Sequence, residues 1–171
     1  MIIIITGATH TGKTLLAQRL LEKYKIPYLS VDHLKMGLIR SNFTSLTPLS
    51  DDEELTALLW PVVSEMIKTA IENNQNLIVE GCYFPVVWDK AFSKEYLSDI
   101  KFISLVMSEK YIQNNFDRIA SFENVIEKRL CAEIDKAQLI KDNNFYRSFS
   151  ENELCKMILI DDSYEIPFDE I

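Results

Sequence analysis

Short runs of apolar, mostly β-branched residues alternate along the chain with longer segments in which apolar residues recur at helical spacing. Five runs predict strands, at residues 2–6, 27–31, 76–79, 100–106 and 157–160. Strands that alternate with helices are typical of βαβ units, which build a parallel sheet between layers of helix. The first run has no polar alternation, which predicts a central strand covered on both faces.

The segments between these runs predict helices at residues 12–24, 32–40 and 50–73. Asp32 stands where an N-cap is expected, and Ser50 and Glu53 fit a capping box. Pro61 then predicts a kink or a restart within the third helix. The stretch at 108–143 is too long for one crossover helix, so we interpret residues 108–147 as a lid-like insertion of two or more helices.

Length and charge limit the range of functions. A chain of 171 residues fits a single domain, 1–171, with a core of residues 1–107 and 148–171. A net charge of −8 disfavours nucleic acid and anionic membranes as partners. No apolar run near the N-terminus has the length of a signal or a membrane span, so we expect a cytoplasmic location. We also expect a monomer or a homodimer. Three cysteines without a CxxC spacing favour free thiols.

The clearest chemical signal follows the first predicted strand. The segment Gly7-Ala8-Thr9-His10-Thr11-Gly12-Lys13-Thr14 matches GxxxxGK[ST], between a strand and a helix. The glycines let successive backbone N–H groups turn toward phosphate oxygens at the positive end of the next helix. Lys13 suits the β- and γ-phosphates, and the Thr14 hydroxyl suits Mg²⁺. The segment therefore predicts a site for ATP and Mg²⁺.

A phosphate loop alone does not separate kinases from GTPases. A GTPase needs an Asp three residues before a glycine in its second switch, but Leu34 and Ile78 stand at those positions before Gly37 and Gly81. An NKxD guanine-binding motif is also missing from the sequence. These two observations disfavour a GTPase.

Two acidic residues end predicted strands, and the ends of parallel strands converge on the ligand. Glu80 is suited to orient a Mg²⁺-bound water or to contact the acceptor; the alternative is a solvated charge at a strand end. Asp32 is suited to accept the proton of an acceptor hydroxyl; the alternative is a helix cap only.

Five other residues are candidates for the same site. Lys35 and Arg40 lie near one face of the second helix and are suited to hold an anionic acceptor, although a surface role fits each equally well. Tyr83 is a candidate for the acceptor pocket, but aromatic residues at its spacing, Phe84 and Trp88 included, are more typical of a core. Arg118 and Arg129 are candidates to stabilise the transferred phosphoryl group from the insertion.

The pattern resembles the nucleoside-monophosphate-kinase-like branch of P-loop kinases, which includes adenylate, shikimate and 2-phosphoglycerate kinases and zeta toxins. Gly7–Thr14 match its Walker A motif, and Val31-Asp32 and Ile78-Val-Glu80-Gly81 match its second and third strand ends. The resemblance implies a five-stranded parallel sheet in the order 2-3-1-4-5 within a three-layer α/β/α sandwich. The chain departs from shikimate kinases at Ser30, where their DxD motif begins.

Together these features predict an ATP-dependent phosphotransferase that acts on a hydroxyl or phosphate group of a small molecule. The alternative function is an ATP-binding regulatory or toxin-like protein that hydrolyses ATP slowly and acts on a macromolecular partner.

Overall fold

The computed structural model describes residues 1–121 and 134–166 and contains one sheet of five parallel strands. The strand order is β2-β3-β1-β4-β5, which confirms the predicted 2-3-1-4-5 topology. Each strand falls on a run that the sequence predicted: β1 (Ile2–Gly7), β2 (Tyr28–Ser30), β3 (Leu77–Glu80), β4 (Ile100–Met107) and β5 (Cys155–Ile160).

Helices connect the strands and cover both faces of the sheet. Within the described residues they are α1 (Lys13–Tyr24), α2 (Val31–Arg40), α3 (Asp52–Glu72), α4 (Lys94–Leu97), α5 (Glu109–Ser121) and α6 (Lys136–Arg147), with 3₁₀ turns at Trp88–Ala91 and Ser148–Glu151. None of these helices combines the length and the apolar character needed to cross a bilayer.

Strand β1 forms the centre of the core because its side chains are apolar on both faces. Residues 2–5 are at most 2% exposed. Ile3 and Ile5 pack with α1, whereas Ile2 and Ile4 pack with α3. The sheet therefore lies between two helical layers, as the absence of polar alternation predicted.

Two predicted helix starts are wrong by one or two residues, and the first changes the interpretation of Asp32. The N-cap of α2 is Ser30, so Asp32 lies inside the first turn and does not cap the helix. The N-cap of α3 is Asp51, whose carboxylate accepts the N–H of Glu53 at 2.8 Å, while Ser50 lies one residue outside. Pro61 lies inside one helix of 21 residues, so no restart occurs.

Helix α6 belongs to the core, although the sequence placed residues 136–147 in the insertion. The buried Asn143 accepts the N–H of Met107 at 2.7 Å, and the Ser104 hydroxyl donates to the Tyr146 carbonyl at 3.1 Å. Both bonds tie α6 to β4. Helix α6 therefore packs against the sheet, and residues 122–133 of the predicted insertion lie outside the described residues.

The bend after β3 depends on a glycine for steric reasons, which yields a test of the fold. A Cβ at Gly81 would lie 2.9 Å from the Val31 Cβ. Gly81→Ala should therefore lower the free energy of unfolding by about 1–3 kcal/mol. Gly37→Ala is the matched control, because a Cβ there meets nothing within 4 Å inside α2 and should stabilise the protein by up to about 1 kcal/mol. Urea unfolding of both variants measures the difference, and equal effects would contradict this account.

Candidate active site

The loop between β1 and α1 has the backbone of a phosphate cradle. Gly7 has φ 146° and Gly12 has φ 86°, values that favour glycine. A Cβ at Gly7 would lie 2.4 Å from the Leu105 carbonyl oxygen, so no other residue fits there. His10 also has a positive φ of 65°. The loop thus turns its backbone tightly between the strand and the helix, as the sequence motif predicts.

The N-terminus of α1 is suited to an anion. Gly12 is its N-cap, no side chain caps the helix, and the first turn has no acidic residue. The first N–H groups of α1 therefore carry the positive end of the helix dipole toward the loop. Lys13 is buried, 6% exposed, and its ammonium donates to the Ala8 carbonyl at 2.9 Å. Lys13 and these amides concentrate positive potential in a protein whose net charge is −8.

Tyr164 forms a hydrogen bond with the backbone of this loop. Its hydroxyl donates to the Thr11 carbonyl at 3.0 Å, and a Cβ at Gly12 would lie only 1.8 Å from the same hydroxyl oxygen. Burial raises the pKa of Tyr164 to about 12, so the phenol stays protonated and remains a donor. The segment after β5 therefore stabilises the conformation of the loop.

Glu80 is on the side of the sheet where a metal bound to Thr14 would lie. It is the last residue of β3, is 1% exposed, and pairs in register with Ile5, which packs against α1. Residues paired in register share a face of the sheet, so Glu80 lies on the α1 face. This placement excludes the alternative of a solvated charge. A hydroxyl and a carboxylate are oxygen donors that Mg²⁺ prefers, so the residues present fit this ion.

Asp32, Lys35 and Tyr83 form one hydrogen-bonded group. The Lys35 ammonium donates to Asp32 Oδ1 at 2.5 Å and to the Tyr83 hydroxyl at 2.7 Å. The side chain of Lys35 is 11% exposed, whereas that of Asp32 is 33% exposed. Burial lowers the pKa of Lys35, but the bonds to Asp32 and Tyr83 outweigh it and the net pKa is raised. Lys35 therefore remains charged and holds one Asp32 oxygen, while the carboxylate stays accessible.

Cys82 joins this group to the phosphate loop. Its thiol donates to the Gly7 carbonyl at 3.6 Å, and the next residue is Tyr83. Burial raises the pKa of the Cys82 thiol, and the nearby Lys13 ammonium opposes this effect. A continuous path of contacts thus runs from Gly7 through Cys82 and Tyr83 to Lys35 and Asp32.

Two of the predicted arginines are exposed on their helices. Arg40 is exposed in the last turn of α2, eight residues beyond Asp32, a separation of about 12 Å along a helix. Arg118 is exposed near the end of α5. Arg129 lies outside the described residues. Phe84 and Trp88, at 3% and 1% exposure, belong to the core, which is the placement that their spacing favoured.

Solved structures share this arrangement of strands and helices. They include a sugar kinase from Janibacter sp. HTCC2649 (TM-score 0.59, 14% identity, 99% of this chain and 88% of that chain). A gluconokinase from Sinorhizobium meliloti 1021 has a TM-score of 0.52 and 16% identity over 99% of this chain and 85% of that chain. A shikimate kinase from Bacteroides thetaiotaomicron has a TM-score of 0.53 and 12% identity over 98% of this chain and 89% of that chain.

The chain has the fold of the P-loop kinases. No protein-family model and no curated protein matches its sequence. The P-loop kinase fold brings the loop of β1 and the ends of β2 and β3 to one edge of the sheet, where Lys13, Asp32 and Glu80 lie.

Three residues that contribute to this candidate site were not predicted from the sequence. Cys82 was interpreted only as a free thiol, although its place two residues after a strand-end carboxylate was a usable signal. Tyr164 lies 153 residues from its partner Thr11, and no local pattern indicates that contact. Tyr146 donates to the Cys82 carbonyl at 2.9 Å from a helix that the sequence placed in the insertion.

The contact of Tyr164 with the P-loop predicts a defect in nucleotide binding. Tyr164→Phe removes one hydrogen bond, worth about 1 kcal/mol, from the Thr11 carbonyl and should weaken ATP binding by about fivefold. Titration calorimetry with ATP and Mg²⁺ measures this change. Tyr24→Phe, at an exposed position of α1, is the control and should bind ATP like the parent. Equal Kd values for Tyr164→Phe and the parent would contradict the clamping role.

Proposed function

We propose that this chain is an ATP-dependent phosphotransferase that transfers the γ-phosphoryl group of ATP to a hydroxyl of a small molecule. The observation that carries the proposal is the path of contacts from the P-loop to an accessible carboxylate, Asp32. A general base beside a phosphate site is what phosphoryl transfer to an alcohol requires. Solved structures with this fold include a gluconokinase, a sugar kinase and a shikimate kinase, which supports the same activity.

The proposed reaction assigns a role to each group. The acceptor oxygen forms a bond to the γ-phosphorus while the bond from that phosphorus to the β–γ bridging oxygen breaks. The hydroxyl proton passes to Asp32, and ADP leaves with the bridging oxygen. Lys35 orients the Asp32 carboxylate through its hydrogen bond before the proton arrives. Lys13 and the N–H groups at the start of α1 bind the phosphate oxygens and stabilise the charge that develops on them.

Thr14 and Glu80 would hold Mg²⁺, Thr14 directly and Glu80 through a water molecule. The ion would supply positive charge to the β- and γ-phosphates. Glu80 suits this role because it is buried at 1% exposure on the α1 face of the sheet.

The proposal also keeps the three predicted arginines. Arg118 and Arg129 are candidates to reach the transferred phosphoryl group when the lid closes, and Arg40 is a candidate for a distant part of the acceptor. A cytoplasmic location and a monomeric or homodimeric state remain part of the proposal. The alternative, a slow ATPase with a macromolecular partner, gives no function to the bonded group of Asp32, Lys35 and Tyr83.

Lys13→Ala should abolish ATP binding with little loss of stability, because the P-loop keeps its backbone while losing the charge that faces the phosphates. Titration with ATP and Mg²⁺ measures binding, and thermal unfolding measures stability. Lys23→Ala, at an exposed position of the same helix, is the matched control and should behave like the parent. Retained transfer activity in Lys13→Ala would refute the mechanism.

Asp32→Asn should leave ATP binding intact and lower kcat by about 100-fold or more, as expected for the loss of a general base. Steady-state ADP release with the acceptor present measures the effect. Asp99→Asn changes an exposed carboxylate before β4 and should leave kcat unchanged. A kcat for Asp32→Asn within twofold of the parent would remove Asp32 from the catalytic machinery.

A further inference from the structure

Residues 81–83 follow directly after β3, and we call them the linking segment. The Cys82 thiol donates to the Gly7 carbonyl at 3.6 Å, and the Tyr83 hydroxyl accepts from the Lys35 ammonium at 2.7 Å. The linking segment therefore contacts the P-loop at one residue and, at the next, the lysine that orients the proposed base. Its conformation thus affects where that base lies relative to the phosphates of ATP.

Two side chains from other elements bind the carbonyl groups of the linking segment. The Thr6 hydroxyl, on β1, donates to the Gly81 carbonyl at 3.2 Å, and the Tyr146 hydroxyl, on α6, donates to the Cys82 carbonyl at 2.9 Å. The Phe84 N–H also donates to the Cys82 carbonyl, at 3.1 Å. Because this carbonyl keeps a partner when the Tyr146 hydroxyl is removed, the bond from Tyr146 restrains the segment without being needed to satisfy a buried polar group.

Tyr146 is itself held firmly against the sheet. It is 7% exposed, and its ring stacks on Phe149 with 5.5 Å between the ring centres. Its backbone carbonyl accepts the Ser104 hydroxyl at 3.1 Å, and one turn earlier Asn143 accepts the N–H of Met107 at 2.7 Å. Burial raises the pKa of Tyr146, so the phenol stays protonated and remains a donor. The position of β4 is therefore passed through α6 to the linking segment.

We infer that Tyr146 is a positioning residue for phosphoryl transfer, which acts on the proposed base, Asp32, through the linking segment. This inference rests on the proposed kinase function, because it concerns the base of that reaction. The physical reason is that transfer requires close alignment of the base, the acceptor oxygen and the γ-phosphorus, so a small displacement lowers the rate more than it lowers binding. Tyr146 differs in this from Tyr164, whose bond is to the P-loop itself.

The variant Tyr146→Phe tests this inference, because it keeps the ring and removes the hydroxyl. Its Kd for ATP should stay within about twofold of the parent, while kcat for transfer should fall by about three- to tenfold. Titration calorimetry measures the first quantity. ADP release measures the second, with a panel of polyols, sugars and hydroxy acids that includes glycerol, gluconate and shikimate.

Tyr96→Phe is the matched control. It also removes one tyrosine hydroxyl, which donates to Glu72 at 2.6 Å between α4 and α3, and it should leave Kd and kcat unchanged. An unchanged kcat in Tyr146→Phe would overturn the inference. A loss of ATP affinity as large as the loss of kcat would also overturn it, because Tyr146 would then act through the nucleotide site.

A double-mutant cycle separates positioning from a general loss of stability. If Tyr146 acts through Asp32, Tyr146→Phe should change kcat by less than about twofold in an Asp32→Asn background. A structural defect would lower kcat by the same factor in both backgrounds, so additive effects in folded variants would overturn the inference and leave the kinase function standing. If the parent binds ATP but no member of the panel raises its ADP release, the proposed function is refuted and this inference with it.

Discussion

The pairing of β1 with β3 on one side and β4 on the other is the constraint on which the rest of the site depends. The register places Ile5 beside Glu80 and Gly7 beside Leu105, so the ends of three strands stop at one edge of the sheet. The Gly81 N–H donates to the Ile5 carbonyl at 3.1 Å, which extends the pairing one residue past β3. Because this bond positions Gly81, it also positions the next residues, Cys82 and Tyr83. Cys82 contacts the P-loop, and Tyr83 is linked through Lys35 to the carboxylate of Asp32.

The second organising feature is the buried ammonium group of Lys35, whose hydrogen-bond acceptors are side chains of the protein. A lysine at this depth loses its hydration, and the cost is offset only because Asp32 and Tyr83 replace water as hydrogen-bond partners. The same arrangement leaves the Asp32 carboxylate partly exposed. The bonds that keep Lys35 buried therefore also hold the Asp32 carboxylate in place.

Much of the fold was predictable from the sequence, because it depends on local patterns. Apolar runs identified all five strands, and the motif at Gly7–Thr14 identified the loop and its helix. Helix boundaries were less accurate at Asp32 and Ser50, because several neighbouring polar residues are able to cap a helix and only the three-dimensional geometry selects one. The role of Lys35 was not predictable, since spacing places it near Asp32 but does not indicate the distant Tyr83. The placement of α6 in the core depends on Asn143 and Tyr146, whose partners lie on β4 and after β3.

The hydrogen bond between Tyr164 and Thr11 forms only after most of the chain has been synthesised. The two residues are 153 positions apart, and every strand of the sheet lies between or before them. As the chain emerges, β1 and α1 are made first, but the contact that clamps their loop requires Tyr164, which follows β5. A nascent chain that already contains residues 7–14 therefore still lacks the Tyr164 contact that supports their conformation.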